Sequence, residues 1–362
     1  MSAPIARQGI NQIKPHMLIH KSDPGTVAAV ALNSNESAFG PSHYAIQSAR
    51  SAVSSIERYI ENPAQILVPA IARRFNLNPD YIAIGPGSDD LLARLARAFL
   101  EPGNELIRSA NGYLKVPNYA YANNAIPINA EDKDFTAQAG NILEQITSRT
   151  RIVYLANPDN PSGTYLNYRK IENLHAQLPS NVLLILDCAY EEYVDEKDYT
   201  ATQLLVEKTH NVVMTRTFSK IFGLAGARIG WMYAHPDIID VINRIGLTFP
   251  VASPSLAAAI SALEDTTHTQ YVYKTTYRLR SQFSQALTQS GLIVYPSQAN
   301  FVLIEFPDGK HSAQQAYDHL IRSGISTRRF ASAAFDSCIR ITLGMEHEIK
   351  LAQKALTQFL AH

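Results

Sequence analysis

From residue 81 onward, short runs of aliphatic and β-branched residues alternate with longer amphipathic ones. The short runs are Tyr-Ile-Ala-Ile (81–84), Glu-Leu-Ile-Arg (105–108), Ala-Ile-Pro-Ile (125–128), Arg-Ile-Val-Tyr-Leu (151–155), Asn-Val-Leu-Leu-Ile-Leu (181–186), Asn-Val-Val-Met-Thr (211–215) and Arg-Ile-Gly-Trp-Met-Tyr (228–233). This alternation predicts an α/β protein whose large domain holds a mostly parallel, seven-stranded sheet flanked by helices. Residues 89–100 place their apolar positions at helical spacing with arginines on the other face, which predicts a helix packed on the sheet. After about residue 252 the texture changes to a long alanine-rich and then polar helical stretch, from 255 to about 290. Two apolar runs, a helix near 313–323, Ile-Arg-Ile-Thr-Leu (339–343) and a final helix follow, the pattern of a smaller α+β domain. The expected division is a large domain over 31–254 and a small domain made of 1–30 and 255–362, with an N-terminal arm.

With 362 residues, 46% of them apolar, the chain can bury a large core. Lysine plus arginine equals aspartate plus glutamate at 32 each, and like charges do not cluster. Nucleic acid and anionic membranes are therefore not expected partners. Cys188 and Cys338 stand far apart and outside any C-x-x-C spacing, which suggests neither a zinc site nor a disulfide framework and fits a reducing cytoplasm. The first ten residues lack the apolar stretch of a signal peptide, and no run approaches the ~20 apolar residues of a membrane span.

Against this plain background, Lys220 stands out. It lies in Thr-Phe-Ser-Lys-Ile-Phe-Gly, preceded by Ser219 and followed eight residues on by Arg228, in an apolar and glycine-rich setting. A desolvated lysine amine loses its proton readily and attacks carbonyls, the chemistry of Schiff-base formation with pyridoxal phosphate. Ser219 and Arg228 would then hold a phosphate. Four further segments fall at expected strand ends, where open α/β sheets bind ligands. Gly85-Pro86-Gly87-Ser88-Asp89 opens a helix and reads either as a tight turn or as a phosphate cradle; it lacks the third glycine of a dinucleotide fingerprint. Asn157 to Thr164 reads as a proline-rich turn on composition alone. Asp187 ends an apolar strand, where it is either a helix cap or a carboxylate in need of a cationic partner such as a pyridinium nitrogen. Arg328, Arg329 and Arg340 offer planar forks for carboxylate or phosphate, and Arg340 sits within an otherwise apolar strand.

In this order the segments resemble fold-type I pyridoxal-phosphate aminotransferases, and within them the histidinol-phosphate aminotransferase family. The likeness runs from Ala31-Leu32-Asn33-Ser34-Asn35-Glu36 through Pro296-Ser297-Gln298-Ala299-Asn300-Phe301 to Ile339-Arg340-Ile341-Thr342. It implies pyridoxal 5′-phosphate as cofactor, with Lys220 as the Schiff-base and proton-shuttling lysine. Asp187 would pair with the ring nitrogen, and Asn157 and Tyr190 with the phenolic oxygen. Gly87, Ser88 and Asp89 backbone groups, Ser219 and Arg228 would surround the phosphate, and Tyr113 would stack on the ring. Tyr59 would reach the phosphate of a neighbouring subunit, which implies a homodimer with shared sites. Arg340, assisted by Arg328, would grip the substrate anion, with Gly40 and Asn157 also at the substrate.

The chain departs from the family pattern at several positions. Cys188 replaces the glutamate of Asp-Glu-Ala-Tyr, Ile60 replaces the proline of Arg-Tyr-Pro, and Asp159 stands within Asn-Pro-Asp-Asn-Pro where Asn-Pro-Asn-Asn-Pro is usual. Val116 occupies the place of a tyrosine three residues after the stacking aromatic, which bears on specificity if it lines the pocket. The activity the resemblance implies is transfer of an amino group from histidinol phosphate to a 2-oxo acid, 2-oxoglutarate. Aromatic amino-acid transamination and decarboxylation of a phosphorylated amino acid share the architecture. A cofactor-free nucleotide-binding protein or a non-catalytic interaction module would not be expected to carry both Lys220 and Asp187.

Overall fold

The computed structural model describes residues 4–13, 30–199, 202–307, 309 and 311–361. Seven strands form the central sheet: β1 (Ile82–Gly85), β2 (Glu105–Ser109), β3 (Ile126–Ala130), β4 (Thr150–Ala156), β5 (Leu183–Asp187), β6 (Val212–Thr217) and β7 (Gly230–Ala234). Their spatial order is β1-β7-β6-β5-β4-β2-β3, and only β7 runs antiparallel to its neighbours. Six carboxyl ends therefore meet along one edge, where ligands of open sheets bind.

The strand sequences read as apolar runs because both faces are covered. Val153, Leu155, Leu184, Leu186, Val212 and Met214 enter one core cluster, while Ile152, Tyr154, Leu183, Ile185 and Val213 enter another on the opposite face. The helix expected over 89–100 forms as Ser88–Phe99 and packs into the second cluster through Leu91, Leu92 and Leu95. Only one of its arginines faces solvent: Arg97 is exposed, whereas Arg94 is buried in an ion pair with Asp90.

The smaller sheet places Phe301–Glu305 between Cys338–Thr342 and Ile293–Val294, all antiparallel. Its core takes Val302, Ile304, Ile339 and Ile341, and also Val30 and Leu32, because Val30–Ala31 pairs in parallel with Ile325–Ser326.

Two expectations change here. The helical stretch after residue 252 is two helices, Ser253–Glu264 and Thr266–Gln289, separated at Asp265, whose carboxylate caps the second through the His268 N–H at 3.0 Å. The first of these belongs with the large core rather than the small one: Leu256, Ala258, Ala259 and Ala262 pack there, and Ser48 and Ser261 hydroxyls meet at 2.7 Å. The core changes inside the second helix, from Val272 in the large cluster to Phe283 in the small one. A division at 254/255 therefore falls ahead of the change in packing. The 3-10 turn Gln8–Gln12 also lies on the large body, with the Gly9 N–H donating to Asn124 Oδ1 at 2.8 Å. The part of the 1–30 segment between 14 and 29 lies outside the described residues.

Candidate active site

A cavity of about 520 Å³ opens along the carboxyl edge of the large sheet. Five of the six carboxyl ends contribute to it, that of β3 excepted: Ser88 and Asp89 after β1, Tyr113 after β2, Ala156, Pro158 and Asn160 around the end of β4. Asp187, Ala189 and Tyr190 follow from β5, and Thr217, Ser219 and Lys220 from β6. Ser34, Asn35, Glu36 and Arg340 close it from the small-domain side.

Lys220 projects its amine 5.5 Å from the Tyr190 ring centroid, and no carboxylate lies within 4.0 Å of it among the described residues. Asp187 is buried at the end of β5, accepting hydrogen bonds from Tyr154 Oη at 2.7 Å and Thr215 Oγ1 at 3.1 Å. Burial pushes its carboxyl up to about 6, against the two hydroxyls that favour the charged form. Cross-strand register explains these partners: Thr215 is the Asp187 neighbour on β6, and Tyr154 lies on the adjoining strand β4. Neither hydroxyl was flagged by linear reading, because the contact exists only in the register of the sheet.

Ser219, Arg228 and the start of the Ser88–Phe99 helix form a basic, donor-rich corner. Arg228 Nη1 approaches Ser219 Oγ at 3.4 Å and donates to the Ala225 carbonyl at 2.9 Å. Gly87 caps the helix at φ +90°, and a Cβ there would stand 2.6 Å from Arg228 Nη2, so only glycine admits the guanidinium. Helix N–H groups and an arginine together make an anion site. The Asp89 side chain is turned aside: burial alone would raise its carboxyl, but Lys115 at 2.7 Å and the Tyr119 hydroxyl at 2.6 Å hold it below the usual range. The Tyr113 hydroxyl donates to the same carboxylate at 3.3 Å.

A second basic group faces the cavity. Arg340 is buried, donating from Nη1 to Asn160 Oδ1 at 2.5 Å and from Nη2 to the Asn33 carbonyl at 2.8 Å, while its Nε has no partner. Burial brings its guanidinium down to about 10, so it stays charged at neutral pH. Tyr190 Oη accepts from Asn35 Nδ2 at 3.0 Å, which ties this residue to the small-domain wall.

Several expected residues lie elsewhere. Asn157 does not line the cavity; its amide is spent on the Leu166 backbone, donating to the carbonyl at 2.9 Å and accepting the N–H at 2.7 Å. The asparagine in the wall is Asn160, three residues on in the same segment. Gly40 is outside the wall as well, its carbonyl turned to His268 Nε2 at 3.1 Å. Arg328 pairs through its backbone with Arg340 and carries its guanidinium 6.0 Å from the Phe330 ring, beside the cavity wall but not in it. Tyr59 is 76% exposed and stacks on Phe249 with centroids 4.1 Å apart. Val116 is fully buried in the core and is not among the residues of the cavity wall. Close to Cys188, buried Arg216 lies over the stacked Phe75 and Trp231 rings and is paired with Glu191 and Glu192. Burial pushes the Cys188 thiol well up, which makes it unreactive.

The model of a family described as aminotransferase class I and II matches residues 28–356. The histidinol-phosphate aminotransferase of Nitrobacter winogradskyi is 41% identical over 363 residues, covering 100% of both chains. That of Rhodopseudomonas palustris (strain HaA2) is 40% identical, again over 100% of both. The solved histidinol-phosphate aminotransferase of Sinorhizobium meliloti, in complex with pyridoxal-5′-phosphate, superposes with a TM-score of 0.86 at 31% identity, covering 92% of this chain and 91% of that one. The chain belongs to the class I and II aminotransferases, with the fold of the fold-type I enzymes. Within that class it is a member of the histidinol-phosphate aminotransferase family.

Proposed function

We propose that this protein is a pyridoxal-phosphate-dependent aminotransferase that moves the amino group of histidinol phosphate to 2-oxoglutarate. The observation that carries the reading is one cavity holding an unpaired lysine amine, a buried carboxylate and two separate arginine-centred anion sites. The residues fit the cofactor: Asp187 has hydroxyl donors but no cation within 4.0 Å among the described residues, and a protonated ring nitrogen would supply one.

When bound, pyridoxal 5′-phosphate supplies an aldehyde that condenses with amines and a ring that withdraws electrons. Asp187 would hold the proton on the ring nitrogen, backed by Tyr154 and Thr215. Ser88, Ser219 and Arg228, with the Gly87 and Asp89 backbone, would bind the phosphate, and Tyr113 would cover the ring. Lys220 is the one lysine amine in the wall among the described residues, and it would take and return the proton at the substrate Cα. Tyr190 and Asn160 would orient the groups around it, and Arg340 would grip the substrate anion.

A homodimer is supported by an exposed apolar set, in which Tyr59 and Phe249 stack while Tyr44, Ile56 and Leu247 are each more than 60% exposed. Tyr59 would then serve the neighbouring subunit's phosphate; sedimentation as a monomer at micromolar concentration would remove this part. Two buried free thiols fit a reducing cytoplasm, and fractionation of cells with a tagged chain tests that placement.

The substrate assignment rests on a charged contact that histidinol phosphate makes and dephosphorylated histidinol cannot. Such a contact contributes ~1.5–3 kcal/mol, so kcat/KM should favour histidinol phosphate over histidinol by about 100-fold. Equal rates, or a preference for phenylalanine, would leave transamination standing and reject histidinol phosphate.

The two asparagines separate cleanly. Asn160→Ala should raise KM for anionic substrates by on the order of tenfold, because Arg340 loses an anchoring acceptor. Asn157→Ala should cost about 2 kcal/mol of stability through the stranded Leu166 backbone groups, lowering Tm by a few degrees. Kinetics and thermal melts of the two variants check the pair; interchanged effects would restore Asn157 to the substrate.

A further inference from the structure

We propose that Asp159 is a positioning residue that couples the hold of Arg340 on a substrate anion to protonation of its own carboxyl. It rests on the reading above that Arg340 receives that anion. Asp159 stands within Asn-Pro-Asp-Asn-Pro, directly before the asparagine that receives Arg340.

The carboxyl is wedged between two loops that form the cavity. On one side, Asp159 Oδ1 accepts the backbone N–H of Asn160 at 2.7 Å, and Asn160 Oδ1 in turn receives Arg340 Nη1 at 2.5 Å. One residue thus separates the carboxyl from the anchor of the arginine. The loop is held by the Asp159 N–H donating to the Thr164 carbonyl and the Gly163 N–H donating to the Asp159 carbonyl, both at 2.8 Å. On the other side lies the loop that carries Tyr113. A Cβ at Gly112 would come within 2.9 Å of Asp159 Oδ2, so the close approach of this loop needs glycine.

The charge is only partly balanced. Arg108 on β2 is the nearest cationic influence, but its guanidinium is committed to the Gly112 carbonyl at 2.6 Å, the Ala110 carbonyl at 3.0 Å and Asn129 Oδ1 at 3.1 Å. It makes no ion pair with Asp159 within 4.0 Å among the described residues. Asp132 beyond β3 and Asp187 on β5 add negative charge, and Tyr154 on β4 faces the group as a neutral hydroxyl. Burial pushes the Asp159 carboxyl up to about 7, against the Asn160 N–H and Arg108, which favour its charged form. Near neutrality the group therefore carries a variable charge beside the Asn160–Arg340 contact. Ionised, it opposes an incoming anion; protonated, it does not. Anion affinity should fall as pH rises through about 7, and by reciprocity a bound anion should draw a proton onto Asp159.

Calorimetry of the cofactor-loaded enzyme with maleate, a dicarboxylate that cannot react, tests this at pH 7 in buffers of different ionisation enthalpy. The wild type should take up more protons per maleate bound than Asp159→Asn. Between pH 6 and 8.5 its Kd should weaken by on the order of fivefold more than that of the variant, the effect of one nearby charge in a partly polar interior. Asp159→Ser, which removes the carboxyl with a smaller side chain, should match the asparagine variant. Equal proton uptake and equal pH dependence in wild type and both variants would overturn the coupling. Failure of the wild type to bind maleate, with Arg340→Ala indistinguishable from it, would instead overturn the anion-site reading beneath it.

Discussion

Replacing Lys220 with alanine should lower transamination by at least about 10³-fold and remove the yellow colour of the bound cofactor, because on the proposed reading one side chain would supply both the covalent tether and the proton carrier. Among the described residues no other lysine lines the cavity to substitute for it. The fold should survive, since the Lys220 side chain is half-buried, makes no ion pair, and lies beside a turn held by the Gly223 N–H donating to its carbonyl at 3.0 Å. Absorbance, turnover and a thermal melt on one preparation separate loss of chemistry from loss of structure. A variant that stays yellow after dialysis and retains turnover would remove Lys220 from the account.

Arg340→Ala should raise KM for donor and acceptor together, by about 10- to 200-fold for a lost charged contact of ~1.5–3 kcal/mol. On the proposed reading both substrates would present an anion to the same guanidinium, so the two constants should move in step. Part of the loss comes from the groups left behind: the Asn33 carbonyl and Asn160 Oδ1 each lose one donor in a part-buried wall. Arg340→Lys should recover little, because a point charge cannot serve two acceptors and a substrate in one plane. Unchanged kinetics in the alanine variant would place the substrate anion elsewhere.

The sheet was legible because its central strands β4, β5 and β6 are buried on both faces, which turns them into apolar runs and leaves strand ends as the places for Asp187, Ser219 and Lys220. What linear spacing does not carry is spatial. Asn157 and Asn160 each precede a proline in one short segment, and only the path of the loop after β4 shows which amide turns inward. Tyr154 and Thr215 support Asp187 through cross-strand register, a relation absent from linear spacing. The helix Ser253–Glu264 looked like the start of a second domain by composition, yet its alanines suit close packing against the helices of the first. Gly40 shares a conspicuous motif with Asn35 and Glu36, but those two face the cavity and it does not.

The central claim is that this cavity carries its cofactor on Lys220 and gives it up to histidinol phosphate. Borohydride reduction of the purified, cofactor-loaded protein, followed by peptide mapping, tests it directly. The account predicts a stable pyridoxyl mark on the peptide containing Lys220, and its loss when histidinol phosphate is added first without a 2-oxo acid. A mark on another lysine, or one that histidinol phosphate leaves in place, would contradict it.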